Sequence, residues 1–413
     1  MAYGDGEDDA RLLSEWRQFC DRLKSAGELV FKDANPPTPV HRADGFRHLT
    51  QNLGQAFALA LETRDTRYPQ LFAFSHPNLH LASDNADCTY IQAWIDGQSV
   101  YKVSGTKGSA RFWAIAVQGA RSVEAYGKGA SRPLHEPFGD IPEASIFGHE
   151  LVTNWDGSFE LYIGGEKQGQ NWLPTTPSTR KLFLRQYFDA WEDESAQYRI
   201  ERVGMVTPRP MPMPDEVIAA MRWASDFVYD VVDFWPDWPH ETGSGGDLNN
   251  PNRFDATREL DGSTTLEQRR GRSVGQMRWE VGSDEALVLE FDDPGSFWML
   301  TCENPFCASM DFLYRNVSYT PSRTALDADG RIRLVLSARD PGFANWIDTE
   351  GFVAGMLTLR NIHAAHLPAV ETRLVPFAEV EQAMHPSSLR ITEAERTREL
   401  KRRFDAIRRR YRL

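Results

Sequence analysis

The chain has 413 residues, a formal net charge of −13 and four cysteines. That length suits two or three domains, four cysteines are too few for a disulfide scaffold, and an acidic balance argues against binding a phosphate backbone. The acidity is uneven: from Arg390 to Leu413, ten basic residues stand against four acidic ones.

The acidic start, Met1 to Asp9, is not followed by the basic and apolar regions of a secretory signal. No run approaches the roughly 20 apolar residues of a spanning helix. The expectation is a cytoplasmic protein that uses no membrane and no nucleic acid, with Cys20, Cys88, Cys302 and Cys307 as reduced thiols.

Residues 1–82 read as an N-terminal helical segment. Leu12, Trp16, Phe19, Cys20 and Leu23 form one stripe, and a second helix starts at Asp44 with Phe46, Leu49, Leu53, Phe57 and Leu61 on one face. Residues 83–206 read as a first β-sandwich module. Residues 207–260 hold a proline-rich linker and a helix from Asp215 to about Phe234, which Pro236 is expected to stop. Residues 261–375 read as a second module. Residues 376–413 form a basic amphipathic helix opened by a Thr392/Glu395 capping box. Its apolar stripe, Leu400, Phe404, Ile407 and Tyr411, suits docking on the acidic body or on another subunit of a homo-oligomer.

The two modules share a motif. Asp156-Gly157 precedes alternating Ser158 to Ile163, then Asn171-Trp172 and Leu182 to Arg185. Asp329-Gly330 precedes alternating Arg331 to Leu336, then Asn345-Trp346 and Leu357 to Arg360. Asp-to-Asn spacing is fifteen and sixteen residues, and Asn-to-Arg spacing fourteen and fifteen. Asp-Gly before a period-two pattern signals a type I′ hairpin turn and a half-buried strand. The fold class is therefore mainly β with helical additions: two repeated antiparallel β-sandwich or jelly-roll-like modules.

These residues, with Asn171-Trp172-Leu173-Pro174, Leu182-x-x-Arg185-Gln186-Tyr187-Phe188, Ser83 to Asp87, Asp311-x-x-Tyr314-Arg315-Asn316 and Asp340 to Thr349, resemble the bacterial domain-of-unknown-function 1214 family, often paired with the related 1254 domain. The resemblance runs from about Asp44 to Arg360. It implies two jelly-roll-like modules with helical additions and no defined reaction. The second copy lacks Pro after its Asn-Trp-Ile, and the first lacks Asp-Pro-Gly before its Asn-Trp.

Candidate chemistry falls on both copies. Asn171 with Trp172, and Asn345 with Trp346, pair a polar edge with an apolar face, as hydroxyl-rich ligands require; they equally suit plugging a sandwich end and tying a loop. Asp84, Asp87, Asp189 and Asp348 are the candidate catalytic carboxylates, since glycoside hydrolysis uses paired acids. Asp84 and Asp87 also suit an Asx turn opening a strand. Tyr90, Tyr187 and Arg360 complete the ligand-contacting set; Arg185 and Arg360 equally suit buried pairs with the repeated Asp. His76 with His80, and His363 with His366, have weak metal spacing, and no metal is expected. No Walker sequence, nucleophile elbow or G-x-G-x-x-G occurs, so no cofactor is expected. Two functions stay open. One is an enzyme, a hydrolase if any, or a binder of a hydroxyl-rich or aromatic small molecule. The other is a non-catalytic assembly protein whose Asn-Trp motifs close the sandwiches. Convergence or scatter of these residues separates them.

Overall fold

Period-two alternation gives each strand two unlike faces, one of which enters a sandwich core. Phe159, Leu161 and Ile163 of the first copy enter one core with Trp113, Ile115, Val117, Leu182 and Leu184. Ile332, Leu334 and Leu336 of the second enter another with Trp279, Trp298, Leu300, Leu357 and Leu359. Outward-facing residues of six strands meet between the modules, where Cys88, Phe112, Ala114, Phe147 and Tyr187 pack on Phe297, Met299 and Ile362. The computed structural model describes residues 6–119, 140–242, 250–254, 273–362 and 367–413.

The first module contains β2 (Cys88–Trp94), β3 (Tyr101–Thr106), β4 (Phe112–Gly119), β5 (Ile141–Phe147), β6 (Ser158–Ile163), β7 (Trp172–Leu173), β8 (Thr179–Tyr187) and β9 (Gln197–Arg202). The second contains β10 (Ser273–Glu280), β11 (Glu285–Asp292), β12 (Phe297–Glu303), β13 (Ser318–Tyr319), β14 (Arg331–Ser337), β15 (Trp346–Asp348), β16 (Ala354–Ile362) and β17 (Glu371–Pro376). The sheets run β2-β8-β4-β5 and β7-β6-β3-β9, then β10-β16-β12-β13 and β15-β14-β11-β17. Strand for strand, the order is the same. A short β1 (Phe72–Ser75) extends the first module's β2 edge. The repeated two-sheet sandwiches inferred from the sequence are present, each one strand longer than the motif, through β9 and β17.

The turns before β6 and β14 differ from the expected type. Type I′ needs positive φ at both central residues, but only Gly157 (φ 79°) and Gly330 (φ 80°) have it. Their amides donate to the Asn154 and Asp327 carbonyls at 3.0 and 2.9 Å. The Asp side chain instead accepts from the next strand's first amide, Ser158 or Arg331.

Three helices cover the joint between modules. Helix α1 (Gly6–Leu29), α2 (Pro39–Phe57) and α3 (Pro214–Thr242) pack together, burying Phe19, Leu49, Ala224, Phe227, Val228, Val231 and Trp235 against Phe74, Phe183, Phe306 and Met356. Helix α2 begins five residues before Asp44, because Pro39 has the fixed φ of a first helical turn and Thr38 caps it. Helix α3 runs through Pro236 to Thr242. Losing one backbone hydrogen bond there is outweighed by burying Val232, Phe234 and Trp235. A short α4 (Val380–Ala383) precedes α5 (Glu393–Tyr411), whose Thr392/Glu395 capping box forms as the sequence indicates.

Helix α5 docks on the body and bridges the modules. The Tyr411 hydroxyl donates to the Cys88 carbonyl at 3.0 Å. Arg403 donates to the Asn316 side chain and the Ser318 carbonyl, both at 2.9 Å. Arg410 lies 3.8 Å from Asp87 and stacks 3.9 Å over Phe188. All four cysteines are free thiols.

Candidate functional site

The Asn-Trp motif is a structural tie, built the same way twice. Asn171 Nδ2 donates to the Val152 and Glu160 carbonyls, both at 2.9 Å, and its Oδ1 accepts from Val152 N at 2.8 Å. Asn345 Nδ2 donates to the Ala325 and Arg333 carbonyls at 2.8 and 2.9 Å, and its Oδ1 accepts from Ala325 N at 2.9 Å. Trp172 and Trp346 each donate Nε1–H to a carbonyl at a strand end, Gly164 or Ser337, at 3.1 Å. The polar atoms of both asparagines are consumed by backbone. The two motifs lie in different modules, so they form no shared ligand platform.

The four candidate carboxylates also separate. Asp87 is fully buried and ion-paired with Arg323. Burial alone would raise its pKa, but Arg323, Arg410 and Arg403 hold it below the usual carboxylate range. Asp189 accepts from Ser322 N at 3.0 Å, while its carbonyl takes the Thr320 hydroxyl at 2.7 Å; it ties the modules together. Asp348 pairs with Arg315 at 2.7 Å and accepts from Glu350 N at 2.8 Å. Asp84 takes the hydroxyls of Ser75 and Ser309 at 2.7 and 2.6 Å and Ser309 N at 2.8 Å. His80 and the Ser309 donors outweigh the effect of burial and leave Asp84 low. A hydrogen-bonded low-pKa carboxylate is a poor proton donor.

Arg185 and Arg360 leave their repeated Asp partners aside. They point outward from β8 and β16 into the seam, where Tyr90 and Tyr187 also lie. Arg360 donates to the Ser83 hydroxyl at 3.0 Å and lies 3.8 Å from Glu303. Glu303 is buried, which pushes it up to about 7 against the opposing Arg360 charge. Tyr90 accepts from Asn85 N at 3.0 Å.

Beside this seam, α2 faces the second module across a small cleft. It is lined by Asp44, Arg47, His48 and Gln51 from α2, with His80, Asn304, Ser309 and Glu350 opposite, and has about 280 Å³ of empty volume including open solvent. Gly45 lets α2 pack closely on both sides, because a Cβ there would meet Val30, after α1, at 2.5 Å and Phe306 of the second module at 3.2 Å. His48 is 2% exposed and stacks on Phe306 at 4.9 Å, and neither ring nitrogen has a hydrogen-bond partner. Burial pushes its imidazole down to about 3. Burial, and then the nearby Asp311 carboxylate, pushes Glu350 up to about 8. Burial raises Asp44 against the pull of Arg47 and of its 2.6 Å bond from Asn304. His80 joins cleft to seam: its Nε2 donates to the Pro77 carbonyl at 3.0 Å, and its Nδ1 meets the Ser309 hydroxyl at 2.9 Å, which reaches Asp84.

Backbone strain gathers at the same place. Ala82, Ser83, Cys307 and Glu350 have φ between 51° and 62°, a region costly for residues with a Cβ and concentrated at functional sites.

The sequence reading missed Asp44, His48 and Glu350 as site residues. A signal for His48 existed: His41, His48, Asn52 and Gln55 are polar residues on the buried side of α2, where an amphipathic helix normally carries apolar ones. Among the described residues no group of three His, Cys, Asp or Glu is placed to hold a metal ion. His363 and His366 lie outside the described residues. No described helix is long and apolar enough to cross a membrane.

An uncharacterised protein from Burkholderia cenocepacia is similar in structure, with a TM-score of 0.77 at 27% identity over 89% of this chain and 99% of that one. A Vibrio parahaemolyticus protein is 12% identical over 84% of this chain and 100% of that one, with a TM-score of 0.44. No match is found among curated proteins. Residues 86–189, from the end of the Ser83–Asp87 loop through β8, match the model of a family described as "Protein of unknown function (DUF1214)". Over these residues, in the first module, the chain is similar to the DUF1214 family.

Proposed function

We propose that the protein binds a small hydroxyl-bearing molecule in the cleft beneath α2 and acts on it by proton transfer, with Glu350 as the acid. The observation that carries this is His48: a buried imidazole facing an open cleft with both nitrogens unused. Leaving a buried polar group unsatisfied costs about 1–3 kcal/mol, so the fold keeps it at a loss unless a ligand completes it. Glu350 supplies the chemistry. Held near pH 8, it is protonated at neutral pH, the state a general acid requires. Asp44 is a second raised carboxyl in the same cleft. Its neutral imidazole makes His48 a hydrogen-bonding and positioning group rather than a base. Glycoside hydrolysis is the concrete form of the reading. The acid pair moves from Asp84, Asp87, Asp189 and Asp348 to Asp44 and Glu350.

The test is a thermal-shift screen against monosaccharides, glycosides, polyols and aromatic alcohols. A bound ligand stabilises by RT ln(1 + [L]/Kd), about 2.7 kcal/mol at a hundred times Kd. A hit should vanish in His48→Phe; for a substrate, turnover should fall in Glu350→Gln while binding persists. A hit that survives His48→Phe unchanged sinks the reading. The alternative, an assembly role, is favoured by one observation of its own: the repeated Asn-Trp motif is spent entirely on holding loops.

A further inference from the structure

The seam between the modules holds more positive charge than it balances. Arg185 and Arg360 occupy equivalent places in the repeat, and both act on the Tyr90 hydroxyl and the Cys88 thiol. Arg360 has Glu303 at 3.8 Å. Arg185 has no paired carboxylate among the described residues. Its partners are the Tyr187 hydroxyl and the faces of Phe183, 4.3 Å away, and Tyr90, 5.8 Å away. Neutral phenols and rings do not cancel a guanidinium charge, and a buried charge without a counter-ion is costly. Nearby Asp84 is already engaged by Ser75, Ser309 and His80.

Three further facts point to a missing acceptor. Arg185 Nε and Arg360 Nη1 are both buried N–H donors without a partner. Tyr90, Arg185, Arg360 and Ser83 keep partial exposure although they lie between two modules. Phe74, Phe183 and Tyr90 form a ring cluster beside Arg185, with centroids 5.5–6.3 Å apart.

We infer that the seam binds a small aromatic carboxylate, its anionic end between Arg185 and Arg360 and its ring against Phe74, Phe183 and Tyr90. Guanidinium forks match carboxylates in geometry as well as charge, and aromatic walls take the body of the ligand. The site is separate from the cleft under α2 and does not depend on the function proposed there.

The experiment is calorimetric titration of the full chain with benzoate, benzamide and inorganic phosphate. Benzoate should bind saturably, and benzamide and phosphate at least tenfold more weakly. Arg185→Met should weaken benzoate at least tenfold, while His48→Phe in the cleft leaves it unchanged. Arg185→Lys keeps the charge without the fork and should retain an intermediate affinity, which serves if the Met variant does not fold. Absence of benzoate binding at millimolar concentration overturns the inference. So does equal binding of benzamide, equal binding of phosphate, or benzoate affinity unaltered by either Arg185 substitution.

Discussion

The two modules repeat each other on the inside and differ on the outside. Asn171 and Asn345 make the same three backbone bonds, Gly157 and Gly330 take the same φ, and the strand order is identical. The outward faces of β8 and β16 carry equivalent arginines with unequal surroundings: Arg360 has Glu303 and Ser83, whereas Arg185 has rings and a phenol. The cleft is lined by α2, His80 and the second module, and none of the first module's described strands lines it. What is repeated holds the sandwiches together, and what is unrepeated is free to meet a ligand.

The contrast can be broken most forcefully at Trp346. Truncating it to Ala empties a buried site at the sandwich end and should cost about 3–5 kcal/mol in urea unfolding, without altering any ligand's contacts. Of similar size is Asp87→Asn, which removes the carboxylate among Arg323, Arg403 and Arg410. Burial and the neighbouring Arg323 already push Arg403 down to about 10. The substitution should destabilise by about 3–5 kcal/mol, and protease cleavage should show α5 released first. If both variants unfold like the wild type, the structural half of the comparison fails.

The cleft behaves in the opposite sense. Glu350 binds a proton more tightly folded (about 8) than unfolded (4.5). The folded state therefore carries the extra proton between these values, and stability falls as pH rises from about 4.5 to 8. Glu350→Gln removes that slope. The variant should gain on the wild type across this window, by on the order of a few kcal/mol at its upper end, as read from denaturant midpoints at pH 5 and pH 8. A parallel pair of curves would show Glu350 ionised at neutral pH. His48→Phe keeps the stack on Phe306 and drops two unsatisfied nitrogens. It should raise stability by about 1 kcal/mol. A gain in stability with a loss of binding is the mark of a residue kept for function. The smallest effect belongs to Trp155, 97% exposed; Trp155→Ser should stay within about 0.5 kcal/mol of the wild type.

Much of this fold could be read before the structure. Alternation in Ser158–Ile163 and Arg331–Ser337 marked strands, because a sandwich buries every second residue. Thr392 with Glu395 marked the start of α5, because capping is local in sequence. β9 was missed although Tyr198 and Ile200 alternate with charged residues, since its outward residues are polar on an edge strand. The start of α2 was misplaced because Asp44 looked like a cap while Thr38-Pro39 was the better one. The site was far less legible. His48 sits on a helix, His80 in a loop 32 residues on, and Glu350 in a turn after β15 a further 270 residues along. Only packing of α2 on the second module brings them together. Asp189 and Asp348 drew notice through their aromatic neighbours, and Asp84 and Asp87 as two acids in one loop, yet each is engaged in holding loops, modules or α5 in place.

The most direct test compares melting temperatures of His48→Phe and Asn345→Ala, each with and without a ligand that stabilises the wild type. Asn345→Ala should melt lower and still respond to the ligand, since its three hydrogen bonds serve the sandwich. His48→Phe should melt at or above the wild-type temperature and respond no longer. The reverse pattern, with the response lost in Asn345→Ala and kept in His48→Phe, would place the ligand on the repeated motif and contradict the division between repeated structure and unrepeated function.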